Sequence, residues 1–484
     1  MWGFHPVTGF TKALDTYLVS SLADPDHASI LLFSLGFGGV IGVISANGGM
    51  QGIVQALSNY AKSRRTSQLS TMLMGIVIFF DDYTNTLFVG NMMRPFTDKL
   101  KISREKLSYI VDSTAAPVAS IAVISTWSVF QMSLLENPYN QYGITEGPYI
   151  TFIKSIPFSF YCWAAIFFMV YLIWTKRDYG PMRTAEKRAF TEGKVMRDGA
   201  QPLSDINFKD DGSLGKKSAH WIFAILPIAT IIMITMIGLY ITGKQGTSVS
   251  NPGLTEIIGA SNSYASLMWG SFTGGLLAIV ISVVYGLLPL KESVNSWLNG
   301  VKSMMIAFVV LILAWTIGKI CEDIKTADYL ISVTQSFLTV EMLPAVTFVT
   351  AAIVSFSTGT SWGTMSVLGP IIIPMAFQLG GPDPNAFLQS PIFLATFSAI
   401  LSGAVFGDHC SPISDTTILS SMASGSDHID HVKTQLPYAL TAGFFSLVLG
   451  YLLTGYGVPW IFVILLMMIA IVGVIRIKGK LIET

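Results

Sequence analysis

Five carboxylates stand where an apolar chain is interrupted: Asp81 and Asp82 in FFDDYTNT, Asp112 in VDSTAAP, Asp408 in GDHCSP and Asp415 in ISDTT. All lie among Gly, Pro, Ser, Thr or Asn, the residues that stop helices. A helix break leaves backbone carbonyls and N–H groups unpaired, which at membrane depth is tolerated only around a cavity. Carbonyls, hydroxyls, Asn amides and carboxylates are the hard oxygen ligands an alkali cation needs, whereas nitrogen and sulfur would suit transition metals. A carboxylate also takes a proton once burial raises its affinity for one. One residue can then bind Na+ or H+, and competition for it is the simplest chemistry of exchange. Each acid has a plainer use as the cap of the half-helix that follows. Asn85, Thr360 and Ser361 have one too, satisfying backbone groups at the breaks.

The elements that must position these residues are apolar helices. Of 484 residues 51% are hydrophobic and 12% charged, about half the charge a soluble protein carries. That excludes a water-soluble enzyme, and equal numbers of basic and acidic residues (29 each) exclude a nucleic-acid binder. Three separated cysteines, Cys162, Cys321 and Cys410, make neither a disulfide framework nor a CxxC metal pattern. No cofactor is expected, Na+ entering as the transported or coupling ion. The N-terminal residues lack the features of a cleavable signal. Apolar stretches of spanning length are read at 28–46, 67–93, 109–134, 152–174, 219–241, 264–289, 303–320, 343–376, 391–424, 436–454 and 459–475. Outer-membrane barrels would alternate in segments of about ten residues. The fold class is an all-α polytopic membrane protein.

Loop charge orients the spans. Lys62, Arg64 and Arg65 precede 67–93, and Arg94, Lys99, Lys101, Arg104 and Lys106 follow. Both flanks are then cytoplasmic, so 67–93 is expected to be a re-entrant hairpin with its tip at Asp81 to Asn85. No Lys or Arg stands between Lys325 and Lys433. The segment 343–376 inside that interval reads as a second hairpin, opening outward, with its tip at Ser357 to Ser361. The basic loop 176–218 and the tail with Arg476, Lys478 and Lys480 fall on the cytoplasmic side of an inner membrane. Asp112-Ser-Thr-Ala-Ala-Pro117 resembles Asp408-His-Cys-Ser-Pro412, and the hairpin tips precede Pro95 and Pro370 at similar distances. Matches in the same order with opposite topology are the pattern of inverted repeats with interrupted helices, the pointer to a secondary transporter. The expected division is an interfacial segment 1–27, a first repeat 28–175, the hydrophilic loop 176–218, linking helices 219–302, a second repeat 303–455, and a C-terminal helix and tail 456–484. The crossing 264–289 has no counterpart in the first half, so the repeat asks for a helix ahead of residue 8.

Other patterns resolve into ordinary packing. Gly359-Thr360-Ser361-Trp362-Gly363 fits G-x-S-x-G but sits in an apolar hairpin, not the strand–turn–helix a nucleophile elbow requires. His409-Cys410 reads as a packed pair, and Asp427-His428-Ile429-Asp430-His431 as solvated surface in a cytoplasmic loop. Gly38/Gly42, Gly48/Gly52 and Gly270/Gly274 have small-xxx-small spacing for close helix packing. Trp174, Tyr179, Trp221 and Trp460 read as interface anchors.

Together, FFDDYTNTLFVGNMMRPFTDK, YIVDSTAAPVASIAVISTW, SFSTGTSWGTMSVLGPIIIP and GAVFGDHCSPISDTTILSSMASGSDHIDHV resemble the NhaC family of sodium/proton antiporters within the larger ion-transporter superfamily. The resemblance runs from about residue 28 to 455. It implies a scaffold and a transport unit, elevator-like motion and a homodimer in the lipid bilayer. It places cation-binding groups at the hairpin tips and paired breaks: Thr84 and Asn85 with Asp112, and Thr358, Thr360 and Ser361 with Asp408, Ser411 and Asp415; Asp82 joins them as a candidate from its own place at the first tip. Na+ is expected at Asp408, Asp112, Asn85 and Thr360. The function so implied is export of Na+ in exchange for H+. The alternative is Na+- or H+-coupled transport of a small organic solute, since some relatives exchange metabolites.

Overall fold

Polar residues at the borders of the apolar stretches become helix caps, and the caps set where each helix begins. The computed structural model describes residues 5–49, 51–52, 63–79, 82–202, 220–247, 261–303 and 339–482, with scattered positions between 253 and 324. Asp81 and much of the expected span 303–320 lie outside the described residues.

The helices in chain order begin with α1 (Pro25–Ala46), α2 (Arg64–Val77) and α3 (Asp82–Lys99). Next come α4 (Arg104–Thr114), α5 (Ala116–Ile121), α6 (Thr126–Tyr142), α7 (Phe160–Thr175) and α8 (Gly180–Glu192). Then follow α9 (Ile222–Gly246), α10 (Ser263–Val284), α11 (Leu290–Ser303), α12 (Leu343–Thr358) and α13 (Ser361–Leu379). The last are α14 (Pro391–Cys410), α15 (Asp415–Ser424), α16 (His428–Phe445) and α17 (Trp460–Lys478). Among the described residues eight helices are long and apolar enough to cross a membrane, or up to ten if each of two bent pairs is one span. The protein is an all-helical, multi-pass membrane protein with interrupted helices.

The chain divides into two units. Unit 1 comprises Met1–Ala56, Val129–Phe152 and Phe208–Ile324. In it α1 packs on α10 and α11, and α9 packs on α10. Small residues permit this approach: a Cβ on Gly300 would meet the Gly38 carbonyl oxygen at 1.9 Å, and one on Gly42 the Ser296 oxygen at 2.1 Å.

Unit 2 comprises Leu57–Ser128, Ile153–Asn207 and Lys325–Thr484. Ser63 caps α2 through a reciprocal capping box with Thr66. The α2 and α3 legs pack together, and the Arg64 guanidinium donates to the Lys101 carbonyl at the far end of α3. A single crossing would hold these ends about 30 Å apart, so the segment 67–93 is a hairpin. Glu186 of α8 closes it, accepting from Arg64 at 2.6 Å and from the Ser103 N–H at 2.8 Å. The second hairpin pairs α12 with α13 across Gly359, whose φ of 70° ends α12 in the left-handed conformation. A short antiparallel pairing of Arg177–Asp178 with Lys480–Leu481 holds the tail against the loop after α7. The basic segments expected on one side of the membrane thus meet at one end of this unit.

Candidate functional site

Unit 2 builds the same local arrangement twice. Helix α4 stops after Thr114, and α5 restarts with Ala116 and Pro117. Helix α14 stops after Cys410, and α15 restarts at Asp415, with Ser414 capping the Thr417 N–H. The Asp112 carbonyl accepts the Ala115 N–H at 3.2 Å, and the Asp408 carbonyl accepts the Ser411 N–H at 3.0 Å. A hairpin tip rests on each break. Asn85 donates its amide to the Gly75, Ile78 and Thr114 carbonyls at 2.7, 3.2 and 3.0 Å, stitching the first tip to the first break. Ser411 donates to the Phe356 carbonyl at 2.9 Å, joining the second tip to the second break.

Asp112 is fully buried and held from three other helices. Its Oδ1 accepts from Ser420 at 3.1 Å; its Oδ2 accepts from Thr417 at 3.1 Å and Gln435 at 2.5 Å, with His431 Nε2 at 3.5 Å. The His409 ring crosses behind it, Nε2 at 3.2 Å from the Asp112 carbonyl and Nδ1 at 3.0 Å from the Tyr161 hydroxyl. A carbonyl only accepts, so His409 carries its proton on Nε2 and accepts a hydrogen bond from the Tyr161 hydroxyl on Nδ1, the pattern of a neutral ring. Asp408 is also fully buried, and its Oδ2 accepts from Thr416 at 2.5 Å. Consecutive hydroxyls, Thr416 and Thr417, therefore address the two acids, and Thr417 also lies 3.4 Å from the Asp408 carbonyl.

The structure gathers Asp112, Asp408, Ser411 and Asn85 around the two breaks. Asp82 opens α3 and is fully buried. Thr360 caps α13 through the Gly363 N–H at 3.2 Å, and Ser361 beside it is buried. Thr358 is exposed and bonds back to the Val354 carbonyl at 2.9 Å, away from this cluster. Thr84 lies in α3 and Asp415 opens α15, but their side chains are outside the described residues.

One reading of the sequence is corrected. Asp427 to His431 is not solvated surface: Asp427 caps α16 through the Ile429 and Asp430 N–H groups, and His431 is fully buried against Asp112. Polar residues at the start of α16 masked a helix that runs inward. His431, Gln435, Ser420, Thr416 and Thr417 escaped sequence reasoning. The available signal was spacing: His431, Gln435 and Tyr438 recur at four and three residues, one helical face.

Chemically the site offers oxygen ligands and titratable groups side by side. Asn85 Oδ1 and Gln435 Oε1 are buried acceptors with no hydrogen-bond partner among the described residues, and Ser361 Oγ is likewise unbonded. Such atoms suit a desolvated cation. A small cavity walled by Ser113, Tyr161, His409 and Gln435 adjoins Asp112.

Residues 118–456 match the family model described as the Na+/H+ antiporter family. An uncharacterised protein of Haemophilus influenzae is 33% identical over 433 residues, covering 89% of this chain and 79% of that protein. The malate-2H(+)/Na(+)-lactate antiporter of Bacillus subtilis is 29% identical over 188 residues, 37% of this chain and 36% of its own length. The crystal structure of the YdaH transporter of Alcanivorax borkumensis, described as having an unusual topology, is 15% identical. It covers 94% of this chain and 90% of its own at a TM-score of 0.59, a likeness of fold alone. With the match spanning the whole second hairpin and the second broken helix, this multi-pass secondary transporter belongs to the Na+/H+ antiporter family.

Proposed function

We propose that the chain exports Na+ in exchange for H+, the two ions competing for the carboxylates at the paired breaks. The observation that carries this reading is the burial of Asp112 and Asp408 at equivalent helix interruptions, bridged by Thr416 and Thr417. A carboxylate inside an apolar segment costs about 2.5–3.5 kcal/mol on insertion scales, and such groups mark ion or proton pathways. His431, 3.5 Å from Asp112, adds a second group able to take the proton. Repeats of opposite topology, rocking or sliding around a central site, would give each ion access to either side in turn.

The test is purified protein in proteoliposomes, with internal pH followed after external addition of Na+, Li+ or K+. Na+-evoked pH change is the expected result. A second reading, coupled transport of a small organic acid, is favoured by the similarity to the malate–lactate antiporter. No cation-evoked pH change beside clear malate or lactate exchange would establish that reading and remove the first.

A further inference from the structure

Unit 1 holds a second cluster of titratable side chains that the exchange reading does not use. Asp24 precedes α1 and accepts the His27 backbone N–H at 3.3 Å. His27, in the first turn of α1, is only 2% exposed, and Glu136 of α6 faces it. One ligating atom from each of the three lies within 4.8 Å of the other two.

The hydrogen bonds around the imidazole set its polarity. His27 Nδ1 is 2.8 Å from the Ser21 carbonyl oxygen, which only accepts, so Nδ1 carries the ring proton. In the neutral ring Nε2 is then a lone pair, and it faces Glu136 Oε2 at 3.4 Å. A buried imidazole lone pair facing a carboxylate oxygen calls for a cation on or between them. The other Glu136 oxygen, Oε1, is engaged by the Tyr264 hydroxyl of α10. Each side chain is thus steadied from behind: the imidazole by a backbone carbonyl, the glutamate by a phenol, the aspartate by a backbone amide. Outer partners of this kind orient the ligands of metal centres and fix the histidine tautomer.

We propose that Asp24, His27 and Glu136 bind a divalent transition-metal cation of the Zn2+ type. One imidazole and two carboxylates form a mixed nitrogen–oxygen set, which Mg2+ and Ca2+, with their all-oxygen shells, do not use. Zn–N and Zn–O bonds of about 2.0–2.2 Å at tetrahedral angles place ligand atoms about 3.4 Å apart; His27 and Glu136 already stand at 3.4 Å, and the Asp24 carboxylate closes the set by moving in by at most about 1.4 Å. Water completes the coordination. The ion ties the start of α1 to α6, and Tyr264 extends the tie to α10, so its role is to staple unit 1.

The experiment uses full-length protein in detergent, stripped with chelator and titrated with Zn2+ and with Co2+. Calorimetry, the visible absorption of Co2+ and the melting temperature are read in parallel. One tightly bound equivalent with a rise in melting temperature is expected, because an ion that binds only the folded state stabilises it. His27→Gln and Glu136→Gln should each remove that equivalent. Tyr264→Phe should keep it but weaken it about 10–100-fold, as loss of an outer partner does. His220→Gln, an exposed histidine of the same unit, should leave it unchanged. If His27→Gln does not fold, Glu136→Gln carries the comparison. Equal binding by the wild type and the folded variant, or a melting temperature that ignores both metals and follows pH alone, overturns the proposal in favour of a proton on Nε2.

Discussion

Asp112 meets its partners through small hydroxyls on successive turns of α15 and a long amide on α16, so its negative charge is spread over several donors. Removing one donor strands a buried acceptor, at about 1–3 kcal/mol. Gln435→Ala should therefore lower stability by that order in a chemical or thermal melt. Asp408→Asn keeps size and some hydrogen bonding while deleting both the charge and the titratable proton. Exchange in proteoliposomes should vanish while insertion survives, and Na+-dependent thermal stabilisation should shrink. Normal exchange with an unchanged pH profile would sink the proposed mechanism. His431→Gln tests the neighbouring proton acceptor: if the imidazole shares the proton with Asp112, the pH profile of exchange shifts, whereas a packing role changes stability alone. The acids of this site were legible because charge inside apolar sequence is conspicuous. Thr417, Ser420 and Gln435 were not, because small hydroxyls and amides are ordinary in membrane helices and only tertiary packing aims them at Asp112. Thr358 shows the converse: it lies two residues from Thr360, and rotation around the helix turns it outward.

At the scale of elements, the first hairpin was readable from its flanks. Basic residues on both sides of 67–93 forbid a single crossing, and the Arg64–Lys101 bond holds those flanks together. Single cysteines at Ser63 and Lys101 should accordingly react with an impermeant thiol reagent from one side of the membrane, in a background lacking the native cysteines. Opposite-side labelling would turn the hairpin into a crossing. The second hairpin depends on Gly359, where a Cβ would sit 2.5 Å from the Ile413 carbonyl oxygen and φ is 70°. Gly359→Ala should cost about 1–2 kcal/mol in backbone strain before that clash is counted, and should impair exchange by lifting the tip from its break. The start of α16 was illegible for an opposite reason. Asp427, His428, Asp430, His431 and Lys433 lower local hydropathy, yet alternate faces of the helix send His431 inward and Asp430 to the Arg197 ion pair at 2.5 Å.

Across the whole molecule, the linear order of segments is a poor guide to which residues share a body, since each unit draws on three separate stretches. Hydropathy marks spans but carries no information about how they interleave. The loop after α8 is fastened to the start of α16 through Asp427. Burial works to raise the affinity of this carboxyl for protons, but hydrogen bonds from the Gln201 and Asp430 N–H groups and the Arg197 guanidinium outweigh it and hold its pKa below the ordinary value. A carboxyl with a lowered folded pKa contributes stability above its unfolded pKa, and that contribution is lost as pH falls through the folded one. Asp427→Asn keeps a capping side chain but deletes the charge that Arg197 pairs, so it should lower the melting temperature at neutral pH and flatten its decline in acid.

The clasp on the first hairpin bears on how the chain is made. Arg64 meets Glu186, which leaves the ribosome 122 residues later, and Ser103 meets the same carboxylate 83 residues on. Helix α2 begins Arg64-Arg65-Thr66-Ser67-Gln68, too polar a leg to partition into lipid alone. The two legs must therefore enter as a pair once Lys101 has been synthesised, and they wait without the Glu186 clasp while α4 to α7 are inserted. Translation intermediates that end before Glu186 would hold a loosely seated hairpin, open to protease and to chaperones of membrane insertion, and synthesis of α8 would end that exposure.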